Sequence, residues 1–147
     1  MKKVNILLIV SIVVAITFAG CKKYDDGPAL SLKSKTARLA RTWQIDKVML
    51  NDMGMTPAEI AMDEGGTNVT NTFDKDGNFS YTMSDSSGTM MSGSGKWEFT
   101  DNDNGIKIFG VMGFDSETST ILKLTSDEFW YWHMDGSDKM EMHWKAK

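Results

Sequence analysis

Few side chains in this chain of 147 residues have the types and spacing that chemistry requires. There are two histidines, His133 and His143, and one cysteine, Cys21. The strand register argued below places the two histidines on opposite faces of a sheet, so they would not converge on one ion or one proton. The motifs HExxH, GxSxG and CxxC are missing from the sequence. We therefore expect no catalytic site.

Two further patterns raise the question of a bound metal. The acidic segments 74–78 and 101–105 contain oxygen ligands, but their order differs from that of a calcium-binding EF-hand loop. Asp, Asn and Gly are also the residues that tight hairpin turns need. Met140 and Met142, two of 12 methionines, alternate onto the predicted core face, which favours core packing over Cu(I) binding. The sequence predicts no metal site and no cofactor.

The aromatic segment 129–133 is the most informative one. In an extended strand, Phe129, Tyr131 and His133 point inward, whereas Trp130 and Trp132 point outward. One interpretation is that an N-terminal helix packs across the two outward tryptophans. The other is that Trp130 and Trp132 form a surface patch that contacts a partner, a glycan or the bilayer.

Residues 1–20 have the pattern of an export signal. Two lysines precede an apolar stretch at 4–19, which is shorter than the roughly 20 apolar residues that a spanning helix needs. The segment Phe18-Ala19-Gly20-Cys21 resembles the bacterial lipobox, in which the cysteine becomes the acylated first residue. We therefore predict a signal peptide at 1–20, lipidation with palmitate or a similar chain at Cys21, and a membrane-attached lipoprotein.

Residues 21–29 are charged and lack an apolar face, so we expect a tether ahead of a domain at 30–147. Lys22 follows the cysteine where an Asp would signal inner-membrane retention, and this predicts the outer membrane. The lysines and acidic pair of 22–26 resemble a surface-export signal, which leaves the periplasmic face and the cell surface as alternatives. The formal net charge of −4, more negative once Lys2 and Lys3 are removed, argues against a nucleic-acid partner.

The mature chain reads almost entirely as β-structure. Good helix formers predict a short helix at 30–40, and Thr56 followed by Pro57 predicts the start of a second one at 56–62. Elsewhere apolar residues alternate with period two. Eight strands are expected, near 42–50, 68–74, 78–84, 94–100, 105–110, 118–125, 127–134 and 139–145.

The turns test this pattern. A loop with Gly77 in the left-handed conformation would place Phe73 opposite Phe79. The turns at 101–104, 125–128 and 135–138 align the following apolar residues on the same face: Trp97, Phe99, Ile106, Ile108, Leu122, Leu124, Phe129, Tyr131, His133, Met140, Met142 and Trp144. Eight antiparallel strands with one buried face favour an up-and-down barrel, because closure removes exposed edges. A two-sheet β-sandwich is the alternative.

Four segments carry a resemblance to the lipocalin-like lipoproteins of the Bacteroidetes lineage. They are Leu39-Ala40-Arg41-Thr42-Trp43, the turn 73–79, Gly95-Lys96-Trp97-Glu98-Phe99 and 124–129. The resemblance implies that Trp43 plugs the closed end of the barrel beneath a basic side chain of the last strand. Arg41 stands where that family has glycine, and Lys145 is the candidate for the basic residue.

The resemblance implies a barrel that binds a small apolar or amphipathic ligand without catalysis. Tyr81, Trp97, Tyr131, His133 and Met142 are the predicted cavity-lining residues. An eight-stranded barrel can also be filled by its own side chains. The alternative is therefore a filled barrel that serves as an envelope interaction module or inhibitor through the loops 84–94 and 51–68.

Overall fold

A computed structural model describes residues 33–55, 59, 68–85, 87–113 and 115–147. These form one short helix, nine strands and a 3-10 turn at Asp101–Asp103. The bounds are α1 Lys35–Leu39, β1 Thr42–Leu50, β2 Met53–Met55, β3 Asn68–Phe73, β4 Asn78–Asp85, β5 Gly88–Thr100, β6 Gly105–Phe109, β7 Glu117–Leu124, β8 Glu128–Asp135 and β9 Asp138–Ala146. Within these ranges no helix is long and apolar enough to cross a membrane. The predicted signal peptide, Cys21, the tether and, apart from Glu59, the helix at 56–62 lie outside the described residues.

Strands β1 and β3 to β9 close into an eight-stranded antiparallel barrel. Neighbours in the chain are neighbours in the sheet, and β1 closes the barrel by pairing with β9 from Trp43 to Leu50. The ninth strand, β2, folds back on the end of β1 as a short hairpin. The up-and-down barrel is thus confirmed and the sandwich is not adopted.

Turn chemistry sets the register as the sequence predicts. Phe73 pairs with Phe79 across a turn in which Gly77 has a φ of +79°, a backbone conformation that favours glycine. Asp74 fixes the same turn by accepting hydrogen bonds from the backbone N–H groups of Asp76 and Asn78, both at 2.8 Å. The turns that connect β5 to β6 and β8 to β9 likewise place the predicted inward residues opposite one another.

The segment 84–94, expected to be a loop, is instead part of a long hairpin. Strand β4 continues to Asp85 and β5 begins at Gly88, and the two remain paired to the tip. The carboxylate of Asp85 closes the turn by accepting from the backbone N–H groups of Ser87 and Gly88. The low strand propensity of the Gly- and Ser-rich sequence is overridden because β4 supplies a hydrogen-bonding partner along its whole length.

Bulges change the inward positions of β7 and β1. The register of β7 shifts between Ile121 and Lys123, so that Ile121 pairs with Tyr131 and is buried. The expected inward alignment of Leu122 with Tyr131 was therefore wrong, because one extra residue in β7 reverses the alternation and puts Ile121 opposite Tyr131. A similar shift in β1 follows Ile45, after which Val48 takes the inward position.

The helix and the buried Trp43 close one end of the barrel. Helix α1 begins at Lys35, with Ser34 as N-cap, rather than at residue 30; residues 30–32 lie outside the described part. Trp43 is 0% exposed, and its indole Nε1–H donates to the carbonyl of Leu39 at 2.9 Å. The indole packs against Phe129 with ring centroids 5.6 Å apart. Trp43 therefore occupies the closed end, as the resemblance implies.

The basic side chain beside Trp43 is Arg41, not Lys145. The Arg41 guanidinium lies 5.6 Å from the centre of the Trp43 ring and donates to the carbonyl of Ser126. The side chain of Lys145 is 62% exposed and forms an ion pair with Asp46 at 2.8 Å on the outside of the barrel. The prediction for Lys145 was wrong, because its position in β9 faces outward while Trp144 faces inward.

Candidate functional site: an apolar cavity with an acidic mouth

A cavity of about 630 Å³ lies in the half of the barrel away from Trp43. Its mouth is formed by the ends of β1, β4 and β8, the start of β7, and the connections next to them. Most of its lining is apolar or aromatic. The lining residues are Ile45, Val48, Leu50, Met55, Val69, Asn71, Phe79, Tyr81, Met83, Met91, Ile108, Val111, Asp115, Glu117, Tyr131, Asp135, Asp138, Met140, Met142 and Trp144. The volume lies within the range of small-molecule sites.

Three of the five predicted lining residues border this cavity. They are Tyr81, Tyr131 and Met142. Trp97 is not among the lining residues; it packs edge-on against Phe73 in the core and donates through Nε1–H to a backbone carbonyl at the closed end. His133 lies at the mouth in a side depression, with its Nδ1 3.0 Å from a carboxylate oxygen of Glu117.

The hydroxyl of Tyr131 is held inside the cavity wall. It donates to the sulfur of Met142 at 3.3 Å, and this leaves its oxygen lone pairs as hydrogen-bond acceptors. Burial, followed by the charge of Glu117, raises the pKa of Tyr131 well above its usual value. The phenol therefore stays protonated at physiological pH.

Asn71 is a lining residue that the sequence reasoning missed. Its side chain is 7% exposed and lies between Val69 and Phe73 on the inward face of β3. Within the described part of the chain, no hydrogen bond is formed by its amide. The signal was a polar residue at an inward position of a period-two pattern. Such a group needs a partner when it is desolvated.

Four carboxylates lie at the mouth. Asp115 and Glu117 come from the start of β7 and the residues before it, and Asp135 and Asp138 come from the β8–β9 hairpin. Glu117 also accepts a hydrogen bond from Ser119 Oγ at 2.9 Å. Among the residues with described positions, no three His, Cys, Asp or Glu side chains converge as a metal site.

The outer face of β8 carries Trp130 and Trp132. The ring of Trp130 is stacked on that of His143 at 4.1 Å, and the ammonium of Lys123 lies 4.1 Å from its centre. The ammonium of Lys139 lies 5.9 Å from the ring of Trp132. Helix α1 contacts β7 and reaches Asp103 at the closed end. Within the described part of the chain, both tryptophans thus contact side chains of β7 and β9 rather than the helix.

Comparison with known proteins identifies the family. The model of the lipocalin-like domain matches residues 39–131, which is more than half of the chain. The chain belongs to the lipocalin-like domain family. The matched region runs from the end of α1 into β8 and includes most of the cavity-lining residues, while those of the β8–β9 hairpin and β9 lie beyond it. Lipocalin-like domains generally bind ligands rather than catalyse reactions.

Solved structures resemble this lipocalin-like domain in fold. A lipocalin-like protein from Bacteroides uniformis is 15% identical, with a TM-score of 0.56, over 75% of this chain and 99% of that one. An uncharacterized protein from Bacteroides eggerthii is 12% identical, with a TM-score of 0.54, over 74% of this chain and 99% of that one. No curated protein matched the lipocalin-like chain.

Proposed function

We propose that this protein is a lipid-anchored envelope lipoprotein whose lipocalin-like domain binds a small apolar or amphipathic molecule without catalysis. The observation that supports ligand binding is the cavity of about 630 Å³ with its mainly apolar lining. A barrel filled by its own side chains would leave no such volume. Apolar surface that stays empty in water is unfavourable, and a ligand that covers it gains the corresponding free energy.

A cavity-filling variant tests ligand binding. Val69 lines the cavity, whereas its neighbour Thr70 lies on the other face of β3. Val69→Trp places an indole in the cavity, so we expect at least about tenfold weaker binding of the neutral probe N-phenyl-1-naphthylamine, measured by fluorescence. Thr70→Trp adds the same indole outside and retains wild-type affinity. Equal affinity of Val69→Trp and wild type, or no binding to the wild type, would refute the proposal.

The natural ligand can be sought directly. Native mass spectrometry of protein purified from its own host should detect a co-purified small molecule in the wild type. The Val69→Trp variant should be recovered without it. A wild-type protein that is always empty, and that binds no apolar probe, contradicts the proposal.

Lipid anchoring rests on the export pattern and on Cys21. Radiolabelled palmitate should enter the wild-type protein expressed in a Gram-negative host, and Cys21→Ala should abolish the label. The labelled protein should fractionate with the outer membrane, either at the periplasmic face or at the cell surface. A wild-type protein that takes up no palmitate would exclude the anchor.

The outward tryptophans favour a second candidate function, an envelope protein-interaction surface. Trp130 and Trp132 are both partly exposed on the middle of β8, and aromatic residues are enriched in interfaces. Trp132→Ser should leave the domain folded, by circular dichroism, and weaken crosslinking to an envelope partner. Loss of folding would instead assign Trp132 to the stability of the barrel.

A further inference from the structure

The charged residues among the described lining of the cavity are all acidic. Asp115, Glu117, Asp135 and Asp138 are all lining residues, and no Lys, Arg or His is found among the described residues that line the cavity. The two pairs of carboxylates come from the β6–β7 connection and the β8–β9 hairpin, which are neighbours because β7, β8 and β9 are adjacent strands, so the negative charge is concentrated on one side of the mouth. Such an arrangement raises the local concentration of cations and lowers that of anions.

Most of this charge is not neutralised by residues in the described part of the chain. Asp138 accepts a hydrogen bond from the neutral amide of Asn51 at 2.8 Å. Within the described part of the chain, neither Asp115 nor Asp135 has a hydrogen-bond or ion-pair partner. The ammonium of Lys139, which follows Asp138, is engaged elsewhere by Asp52 at 3.3 Å and Glu141 at 3.5 Å.

Glu117 is the one carboxylate of the four with a basic neighbour, His133, among residues whose positions are described. Its Oε1 lies 3.0 Å from His133 Nδ1, a contact without hydrogen-bond geometry, and accepts a hydrogen bond from Ser119 Oγ at 2.9 Å. These contacts orient the carboxylate. The other three carboxylates, those of Asp115, Asp135 and Asp138, have no Lys or Arg within ion-pair distance in the described structure.

The interior provides a second, independent indication of a ligand. The amide of Asn71 is more than nine-tenths buried, lines the cavity and forms no hydrogen bond with any described residue. An amide in this position is unfavourable unless water or a bound molecule supplies its hydrogen bonds. The indole N–H of Trp144, another lining residue, is buried and likewise has no hydrogen-bond partner among the described residues. The cavity is therefore suited to a molecule that carries polar atoms rather than to plain hydrocarbon.

We propose that the ligand is an amphipathic amine, with its apolar body in the cavity and a protonated nitrogen at the acidic mouth. This inference rests on the proposed ligand-binding function and specifies the chemical class that the site takes. An organic cation fits better than a metal ion because, in the described structure, no three carboxylate or imidazole groups converge. A carboxylate headgroup, as in a fatty acid, would meet repulsion at the same place.

Three probes of equal chain length test the charge preference: dodecylamine, dodecanol and dodecanoate. Each is used below its micelle concentration to displace N-phenyl-1-naphthylamine at pH 7 and low salt. Dodecylamine should bind at least about tenfold more tightly than dodecanoate, with dodecanol between them. Added salt should reduce the difference because the mouth is open to solvent.

Matched variants locate the effect at the mouth. Asp115→Asn combined with Asp135→Asn should reduce the preference for amine over carboxylate at least about fivefold and leave dodecanol affinity unchanged. Asp76→Asn combined with Asp127→Asn makes the same charge change in turns at the closed end and should leave the preference intact. Thermal melting checks that both double variants are folded.

The outcomes separate this inference from the proposed function. If dodecanol binds but dodecylamine binds no better than dodecanoate, the ligand class is wrong while ligand binding stands. If the two double variants lose the preference equally, the selectivity reflects net charge rather than the mouth, and the inference is overturned. If none of the three probes displaces the dye and the dye itself does not bind, the proposed function fails as well.

Discussion

Replacement of Trp43 tests whether the closed end carries the stability of the barrel. The indole is 0% exposed, packs on Phe129 and donates one hydrogen bond to Leu39. Trp43→Ala removes all three contributions, and large aromatic-to-alanine changes in a core cost about 3–5 kcal/mol. Because domains of this size have about 5–15 kcal/mol of stability, the variant should be folded but much closer to unfolding.

Two control variants divide this loss into parts. Trp43→Phe keeps a ring against Phe129 and removes one of two donors to the Leu39 carbonyl, which still accepts from the backbone N–H of Arg41 at 2.8 Å, so it should cost about 1–2 kcal/mol. Trp132→Ala removes an indole of the same size from the outer face of β8, where its neighbour is the ammonium of Lys139. That change should cost about 1 kcal/mol or less.

Urea unfolding followed by far-ultraviolet circular dichroism measures these differences without relying on tryptophan fluorescence, which the substitutions alter. The expected order of destabilisation is Trp43→Ala, then Trp43→Phe, then Trp132→Ala, with similar m-values. A cost for Trp43→Ala no larger than that of Trp132→Ala would refute the assignment of the closed end as the stability centre. A barrel that binds N-phenyl-1-naphthylamine normally in Trp43→Phe would show that the cavity does not depend on the indole N–H.

Two further predictions concern turns and glycines. Hydrogen bonds from Asn78 hold the pKa of Asp74 below its usual value, so Asp74→Ala should lower Tm near neutral pH. The difference in Tm from wild type should vanish as the pH falls through the folded-state pKa of Asp74. Melting curves recorded from pH 7 to pH 2 check this. A Cβ at Gly95 would lie 2.5 Å from the carbonyl oxygen of Phe109, so Gly95→Ala should cost about 1–3 kcal/mol, measured by urea unfolding. At Gly93 the three atoms nearest to an added Cβ all belong to the side chain of Tyr81 rather than to backbone, so Gly93→Ala should cost less.

The sequence was sufficient for the barrel because its turns are short and chemically specific. Asp74 and Gly77 each fit one position of a single turn type, and once the turn is fixed the period-two pattern sets every later pair. Strand extension was harder to predict. The residues of 84–94 have weak intrinsic strand preference, and only the presence of β4 alongside makes them a strand.

The site was less predictable because a lining residue must point inward and must also lie at the right height along the barrel axis. Trp97 and Tyr81 both point inward, yet Trp97 packs toward the closed end and Tyr81 borders the cavity. The acidic mouth joins residues that are about twenty positions apart in sequence and belong to different connections, and the pairing of β7 with β8 and of β8 with β9 brings them together. Bulges add a further limit, since the shift at Ile121 has no clear sign in the residue pattern.

The chain enters and leaves the barrel at the same end. Helix α1 leads into β1 beside Trp43, and the backbone N–H of Lys147 donates to the carbonyl of Thr42 at 3.1 Å. The connections that form the mouth are at the opposite end, where they can change in length and charge without disturbing the aromatic core. Evolution can therefore alter what such a domain recognises while it keeps the same stable base. In the laboratory, coupling to a sensor surface through the C-terminus would leave the mouth facing solution.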